Sequence, residues 1–392
     1  MARQRSPSAA IPPLLKDLNL RTVLATIRSG APISRAEISR RAGISKPTVS
    51  QALQSLLAAG LVRQAEGDGG RPSYGALFFE PVPDAALVLG LDLGARFLRG
   101  AICDLRGEVR ARQDVELGGV EAGSVLRAIE GLRASLVAAS DLSADLLDSA
   151  VVGVPGVVGA DGTVRLTHFS SLEGLPLEQE LAELLGLPVT LENDINLAAL
   201  GEHWFGVAEG VEDFVFVSVG TGLGAGLVLH GELHRGHHGA AGELDYALTG
   251  LEHDVDPCAG AVSVLAARLT AERPAETSLA PPFDARAIFT AARGGDRLAR
   301  EVVAEVARRI ALHTATVAAV ADVALVVLGG GLGANGDLLL GPVRDLLGTW
   351  LPYPPRVEVS TLGETAVLRG ALAVGLRHAL ENVFVERTRL AG

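Results

Sequence analysis

Cysteine is nearly absent: the 392 residues hold only Cys103 and Cys258. Two thiols cannot build a disulfide framework, nor by themselves the four-ligand shell of a structural zinc site. Aromatic residues are scarce, at 4% against 48% hydrophobic overall, so the interior must be packed from Ala, Val and Leu. No apolar stretch is both long enough and free enough of charge to span a bilayer; the run from Val317 to Leu328 is too short and carries Asp322. The opening residues, with Arg3 and Arg5 among Ser and Pro, lack the apolar segment of a secretory signal, so a cytoplasmic protein without membrane contact is expected. Net positive charge is missing too: 34 Lys and Arg face 46 Asp and Glu, a formal −12. That excludes a chain that grips nucleic acid over its whole surface. The length predicts two or three domains.

The average hides a local reversal. Between Lys16 and Arg71 stand Lys16, Arg21, Arg28, Arg35, Arg40, Arg41, Lys46, Arg63 and Arg71, opposed only by Asp17, Glu37, Glu66 and Asp68. A basic head on an acidic body suits a protein that holds phosphate with one domain and keeps the rest off it. Residues 1–13, rich in Ser, Ala and Pro, read as a flexible arm. From about Asp17 to Ser29, Leu18, Leu20, Val23, Leu24 and Ile27 recur at helical spacing. Ser34 with Glu37 three residues on is a capping box opening a short helix through Ala42. Gly43 supplies a tight turn, and Ser45 caps a third helix whose Pro47 sits where a missing N–H costs nothing. That helix is predicted to run to about Ala59 and to end at Gly60.

Helix, glycine turn, helix is the helix-turn-helix arrangement. Val49, Leu53, Leu56 and Leu57 form the buried stripe of the third helix. Lys46, Thr48, Ser50, Gln51 and Gln54 remain on other faces, short or amide side chains suited to base edges with one lysine for phosphate. Arg35 belongs with them as a DNA contact at the start of the preceding helix. Leu61-Val62-Arg63 and Tyr74 to Phe79 read as strands joined by a glycine-rich tip, Glu66 to Pro72, that holds out Arg71, a side chain suited to a narrow minor groove. Together these pieces predict a winged helix-turn-helix that binds double-stranded DNA.

Pro81 and Pro83 mark a short linker. Strands are then predicted at Leu87–Asp92, Phe97–Asp104 and Val109–Val115 as an antiparallel meander. Further strands are predicted at Ala150–Val154, Val189–Leu191, Phe214–Ser218, Gly226–Leu229, Ala324–Leu328 and Arg356–Val359, with helical stretches between, an α/β body. Three glycine-bearing segments at strand ends could let backbone N–H groups approach an anion: Asp92-Leu93-Gly94-Ala95-Arg96, the run from Val219 to Gly226, and Gly329 to Gly333. Each, taken singly, also fits a plain tight turn.

The order of winged helix, Gly-Arg-Pro wing and this body resembles the ROK family (repressors, open reading frames and kinases), specifically its xylose-repressor and N-acetylglucosamine-repressor type of regulator. The likeness runs roughly from Leu18 to Leu380. It is carried by Glu192-Asn193-Asp194, Gly201-Glu202, the Gly220-Thr221-Gly222-Leu223-Gly224 run and Gly239 to Glu243. The resemblance implies an actin-like ATPase fold, two ribonuclease H-type lobes around a cleft, normally dimerised. It further implies a sugar held by Asn193 and Glu243, Gly156 shaping the pocket wall, and Asp194 in the place of the base that takes a hydroxyl proton. Asn193-Asp194 also reads as a helix cap.

Departures from the family pattern decide the expected activity. Its first phosphate loop, Asp-x-Gly-Gly-Thr, stands here as Asp92-Leu93-Gly94-Ala95-Arg96, which impairs backbone approach to a phosphate. The histidine three residues after the glutamate is Tyr246. The cysteine cluster that holds zinc with that histidine is reduced to Cys258, with His253 nearby, and the glutamate after the last cysteine stands as Gly260. His234, His237 and His238 fit either a metal site or a solvated loop.

No catalytic residue, cofactor or metal is therefore expected. The expected protein is a DNA-binding regulator, a repressor of carbohydrate-related genes. Its body takes a sugar or sugar phosphate at Gly156, Asn193, Asp194, Glu243 and Tyr246, beside a phosphate-loop remnant of Gly220, Thr221, Gly222 and Gly224. The alternatives are an ATP-dependent sugar kinase and a body that serves only as a dimerisation platform. The predicted division is an arm at 1–13, winged helix-turn-helix at 14–80, linker at 81–86, first lobe at 87–195 plus 366–392, and second lobe at 196–365. A homodimer or homotetramer is expected.

Overall fold

A computed structural model describes residues 12–65, 77–247 and 255–390. Helix α1 (Pro12–Gly30) buries Leu20, Val23, Leu24 and Ile27, the i, i+3, i+4, i+7 stripe of its sequence. It begins five residues before the expected Asp17, because Pro12 and Pro13 stand in the first turn, where proline removes no helical hydrogen bond. Strand β1 (Ile33–Ser34) leads into α2 (Arg35–Ala42), capped by Ser34 Oγ, which accepts the Glu37 N–H at 3.3 Å. Gly43 closes the helix at φ +66°, a conformation that favours glycine. Helix α3 (Lys46–Ala58) starts at the Ser45 cap, with Gly60 at φ +68° just beyond it. Strands β2 (Val62–Ala65) and β3 (Phe78–Pro81) join β1 in a three-stranded sheet ordered β1-β3-β2. The expected wing tip with Arg71, and Tyr74, lie outside the described residues.

The body holds two sheets of one design. Strands β4 (Leu87–Leu93), β5 (Phe97–Asp104) and β6 (Val109–Glu116) form the antiparallel meander. Helix α4 (Ala122–Ala139) then leads to β7 (Leu147–Val154), which runs parallel to β4. A small hairpin, β8 (Val157–Val158) and β9 (Val164–Arg165), and α5 (Leu177–Leu185) precede β10 (Val189–Asn193). The order is β10-β7-β4-β5-β6.

Helix α6 (Asp194–Phe205) crosses to the second lobe. There β11 (Phe214–Val219), β12 (Leu223–Leu229), β13 (Glu232–Leu233), β14 (Leu325–Gly329) and β15 (Arg356–Val359) are ordered β13-β12-β11-β14-β15. Three antiparallel strands flanked by two parallel ones, repeated once, make the ribonuclease H-like pair of an actin-like ATPase. The C-terminal helix Ala366–Leu390 returns against α6. Their backbones meet where Gly201 faces the Ala366 carbonyl and Gly370 faces the Leu197 carbonyl; a Cβ at either glycine would collide. No described helix is long and apolar enough to cross a membrane.

Head and body share one hydrophobic cluster. Leu20, Ile27 and Phe79 pack with Val88, Ala101, Leu105, Leu368, Leu372 and Leu376. Around it Arg28 Nε donates to the Leu105 carbonyl at 2.7 Å, Arg106 pairs with Glu80 at 3.1 Å and Arg110 with Asp84 at 2.6 Å. The stretch read as a linker is a 3-10 turn, Pro83–Ala85, with Ala85 and Ala86 buried in the same cluster. Arg28→Ala would leave the buried Leu105 carbonyl without this donor, a loss of about 1–3 kcal/mol. Hydrogen exchange by mass spectrometry should then show faster exchange in both α1 and the β5–β6 turn; unchanged exchange in either would mean the joint does not depend on Arg28.

Candidate functional site

The exposed face of α3 carries Lys46, Gln51 and Gln54, with Thr48 and Ser50 half-buried beside them. Gln51 and Gln54 are one turn apart, on the side opposite the buried Val49, Leu53 and Leu56. Two of the expected base readers also bond locally. Ser50 Oγ donates to the Lys46 carbonyl at 2.9 Å and accepts from Arg35 Nη1 at 3.1 Å, so it orients Arg35 on the helix surface. Thr48 Oγ1 lies 2.8 Å from Ser45 Oγ, within the cap. A groove of about 650 Å³ runs between α1 and α3, lined by Lys16, Asn19, Gln51 and Gln54 among others. The sequence had offered Lys16 only as part of the charge count, because α1 was expected to start after it.

The second concentration of chemistry lies where β10 ends and α6 begins. Asn193 is the N-cap of α6: its Oδ1 accepts the Asn196 N–H at 3.0 Å, and its Nδ2 donates to the Gly156 carbonyl at 2.9 Å. The capping role and the pocket role therefore coincide, and one N–H and one lone pair of the amide are left for a ligand. Gly156 has φ +113°, and a Cβ there would meet the Arg165 carbonyl at 2.6 Å, so the wall at this point must be glycine. Asp194 follows, with Oδ1 accepting the Ile195 N–H at 2.9 Å. Burial first, then the charges of Asp92 and Glu243, push its carboxyl up to about 7. Burial likewise raises Asp92 to about 6 and moves Glu243 upward. Asp92 and Glu243 thus both lie close enough to Asp194 for their charges to act on it. Tyr246 stands half-exposed in the short helix Leu244–Ala247, close enough to Glu243 for that charge to raise its hydroxyl further.

The phosphate side is arranged differently. Gly94 closes a hairpin turn, its N–H donating to the Phe97 carbonyl at 2.9 Å. Arg96 leans outward, with Nε 2.8 Å from Glu116, so the cation expected in the loop lies elsewhere. Arg99, on the strand opposite Asp92, supplies one: Nη1 is 3.4 Å from Asp92 and Nη2 3.2 Å from Glu364. The expected run from Val219 to Gly226 divides in two. Gly220, Thr221 and Gly222 form the β11–β12 turn, whereas Gly224 lies inside β12 against Ile195 and is no part of a loop. A Cβ on Gly220 would reach the Gly331 N–H at 3.6 Å, so two of the glycine segments do face each other. Asp245 Oδ2 accepts the Leu223 N–H at 2.9 Å, placing a carboxylate at the turn where a phosphate would need donors.

Zinc does not fit the residues present. Beside Thr221, a cavity of about 150 Å³ is lined by Asp245, Asp256, Cys258 and His313. Their polar atoms are turned to the chain: Asp256 accepts the Cys258 N–H at 2.7 Å and His313 Nε2 lies 3.0 Å from the Val255 carbonyl. Burial, then Asp256, drives the Cys258 thiol far above its usual range, away from the thiolate a metal needs. Among the described residues no three His, Cys, Asp or Glu side chains are grouped to hold a metal ion, and His253 lies outside them. His234, His237 and His238 lie on the loop after β13, with the rings of the last two 4.4 Å apart.

Fold and site define a class: a winged-helix DNA-binding head fixed to a sugar-kinase-like body of two ribonuclease H lobes. The ROK family model matches residues 88–377, and a MarR family model matches residues 15–72. The chain belongs to the ROK family.

It is 27% identical over 385 residues to a xylose repressor of Caldicellulosiruptor bescii, covering 92% of this chain and 96% of that one. A glucokinase of Halalkalibacterium halodurans is 28% identical, over 72% of this chain and 92% of its own. Among solved structures, a ROK family transcriptional regulator described as a homologue of the E. coli MLC protein superposes with a TM-score of 0.77 at 24% identity, covering 96% of this chain and all of that one. A ROK hexokinase from Thermus thermophilus gives 0.63 at 27% identity, over 75% of this chain and 99% of its own. The repressor matches head and body; the kinases match the body.

Proposed function

We propose that the protein is a transcriptional repressor of carbohydrate-related genes, binding an operator as a homodimer and releasing it when a sugar or sugar phosphate enters the body's cleft. One observation supports this reading: a winged helix-turn-helix shares its core with a body in which the residues expected at the sugar stand near one another, while polar groups at the expected phosphate positions are bonded within the chain. Asn193, Asp194, Glu243 and Gly156 stand together, while Arg99 engages Asp92 and Asp245 takes the Leu223 N–H. Phosphoryl transfer needs donors and a cation around the phosphates, and this chain has spent those positions internally. A ligand that closes the cleft turns one lobe against the other. Through the dimer it then changes the spacing of two recognition helices, which must match half-sites about one DNA turn apart. The ligand must prefer one of the two arrangements for this to occur.

The test is fluorescence anisotropy of the full chain on duplex DNA from its own upstream region, with and without sugars. Binding that is sequence-specific and released by one sugar is expected; loss of specificity for that region would end the repressor reading. A second reading, sugar kinase, has one observation in its favour: Asp194, raised to about 7, is tuned as a general base at neutral pH. Sugar-dependent conversion of Mg-ATP to ADP by the purified chain would establish it.

A further inference from the structure

The end of β10 meets the second lobe through an ion pair between Glu192 and Arg235. Glu192, immediately before Asn193, is buried, and four donors converge on its carboxylate. Oε1 accepts the Asn193 N–H at 3.0 Å and Asn196 Nδ2 at 2.9 Å; Oε2 takes Arg235 Nε and Nη2, each at 2.7 Å. Arg235 follows β13 in the second lobe, at the start of the loop that ends in Glu243. That loop is bonded within itself: the Ala241 N–H donates to the Arg235 carbonyl at 3.1 Å and the Glu243 N–H to the Ala240 carbonyl at 3.3 Å. It is tied to its own sheet by the Ala225 N–H on the Gly242 carbonyl, 2.8 Å, and rests on the first lobe where Gly239 abuts the Val158 carbonyl.

We propose that the Arg235–Glu192 pair is the positioning element of the effector cleft. It fixes Asn193 on the first lobe against Glu243 on the second and so sets effector affinity without touching the ligand. The inference rests on the reading of this cleft as the effector site. Its physical basis is the fate of Glu192 without its partner. The carboxylate is buried, and its remaining donors are the Asn193 backbone and the Asn196 side chain, both parts of the α6 cap. An unpaired buried charge draws water or neighbouring donors toward itself, and here the nearest donors are those that hold Asn193 in place. At the same stroke the loop carrying Glu243 loses its charged tether to the first lobe and keeps only the contact of Gly239 with Val158 among those described above. On its far side Arg235 approaches His378 of the C-terminal helix, which burial, then Arg377 and Arg235, keep below the usual histidine range.

The experiment compares full-length wild type, Arg235→Gln, the double variant Arg235→Gln/Glu192→Gln, and Asn193→Ala. The probes are D-xylose, D-glucose and N-acetyl-D-glucosamine, with affinity read by calorimetry and ligand-free melting temperature beside it. Arg235→Gln is expected to weaken the binding sugar by about 10- to 100-fold. The double variant, in which two amides can bond where the ions met, should recover most of that loss, which general instability would not do. Wild-type affinity in Arg235→Gln while Asn193→Ala abolishes binding would overturn the latch and leave the cleft reading intact. Equal weakening in the single and double variants, tracking a fall in melting temperature, would also overturn it. If no probe binds the wild type, the effector reading of the cleft fails, and the latch fails with it.

Discussion

A chain carrying Gln51→Ala and Gln54→Ala should lose about 30-fold or more of its preference for its operator over random DNA, while its affinity for random DNA stays nearly unchanged. The separation of the two effects follows from what the side chains offer. Both amides stand exposed on the outer face of α3, and an amide reads adenine through paired N6 and N7 contacts worth about 1–3 kcal/mol each. Neither carries charge, so neither contributes to the counterion release that dominates non-specific binding. Lys46→Ala is the complementary control. It should weaken both kinds of DNA alike and reduce the slope of log affinity against log salt by about one. Arg35 belongs with Lys46, since Ser50 holds its guanidinium on the surface of the helix pair. Anisotropy titrations across a salt series on two duplexes read all of this. Equal loss on both duplexes for the glutamine variant would place these residues on the backbone and not on the bases.

Asp194→Asn should raise the melting temperature, by an amount that depends on pH in a defined way. In the fold this carboxyl titrates at about 7 instead of 3.8, because burial and the neighbouring Asp92 and Glu243 disfavour its charge. A carboxyl with a raised folded pKa contributes stability that is full below the unfolded value and lost as pH rises through the folded one. The wild type should therefore fall behind the asparagine variant progressively between about pH 4 and 7, and the gap should be level above that, at roughly a few °C. Asparagine keeps the shape and can still accept the Ile195 N–H through its carbonyl oxygen. Scanning calorimetry from pH 4 to 9 decides it: a gap independent of pH would mean that the charge of Asp194 is not the cause. The same variant should bind the effector more weakly, so the cleft trades stability for recognition.

The head was legible because its signals are local. Ser34, Gly43, Ser45 and Pro47 each act within a few residues of themselves, and the structure puts caps and turns where they fall. The strands of the body were legible for the same reason, as short apolar runs between turns. Missed was whatever needed a partner far along the chain. Arg28 and Leu105 are 77 residues apart, and Arg235 and Glu192 are 43 apart; no periodicity links them. The linker failed on similar grounds: two prolines look like a spacer until the surface that buries Ala85 and Ala86 is known. Gly224 was misread because a glycine in a turn and one making room for Ile195 inside a strand have the same local sequence. Arg99 could have been found, since an arginine seven residues after Asp92 across a tight Gly94 turn must fall opposite it in a hairpin.

The cluster that joins Leu20 and Ile27 to Leu368, Leu372 and Leu376 bears on how such proteins can be re-engineered. A DNA-binding domain on a loose tether can be exchanged as a cassette. This one cannot, because a cut between residues 81 and 86 would bare half of a common core on each fragment. New operator preferences on this scaffold must come from substitutions on the outer face of α3, with the inner faces of α1 and the C-terminal helix inherited as a matched set.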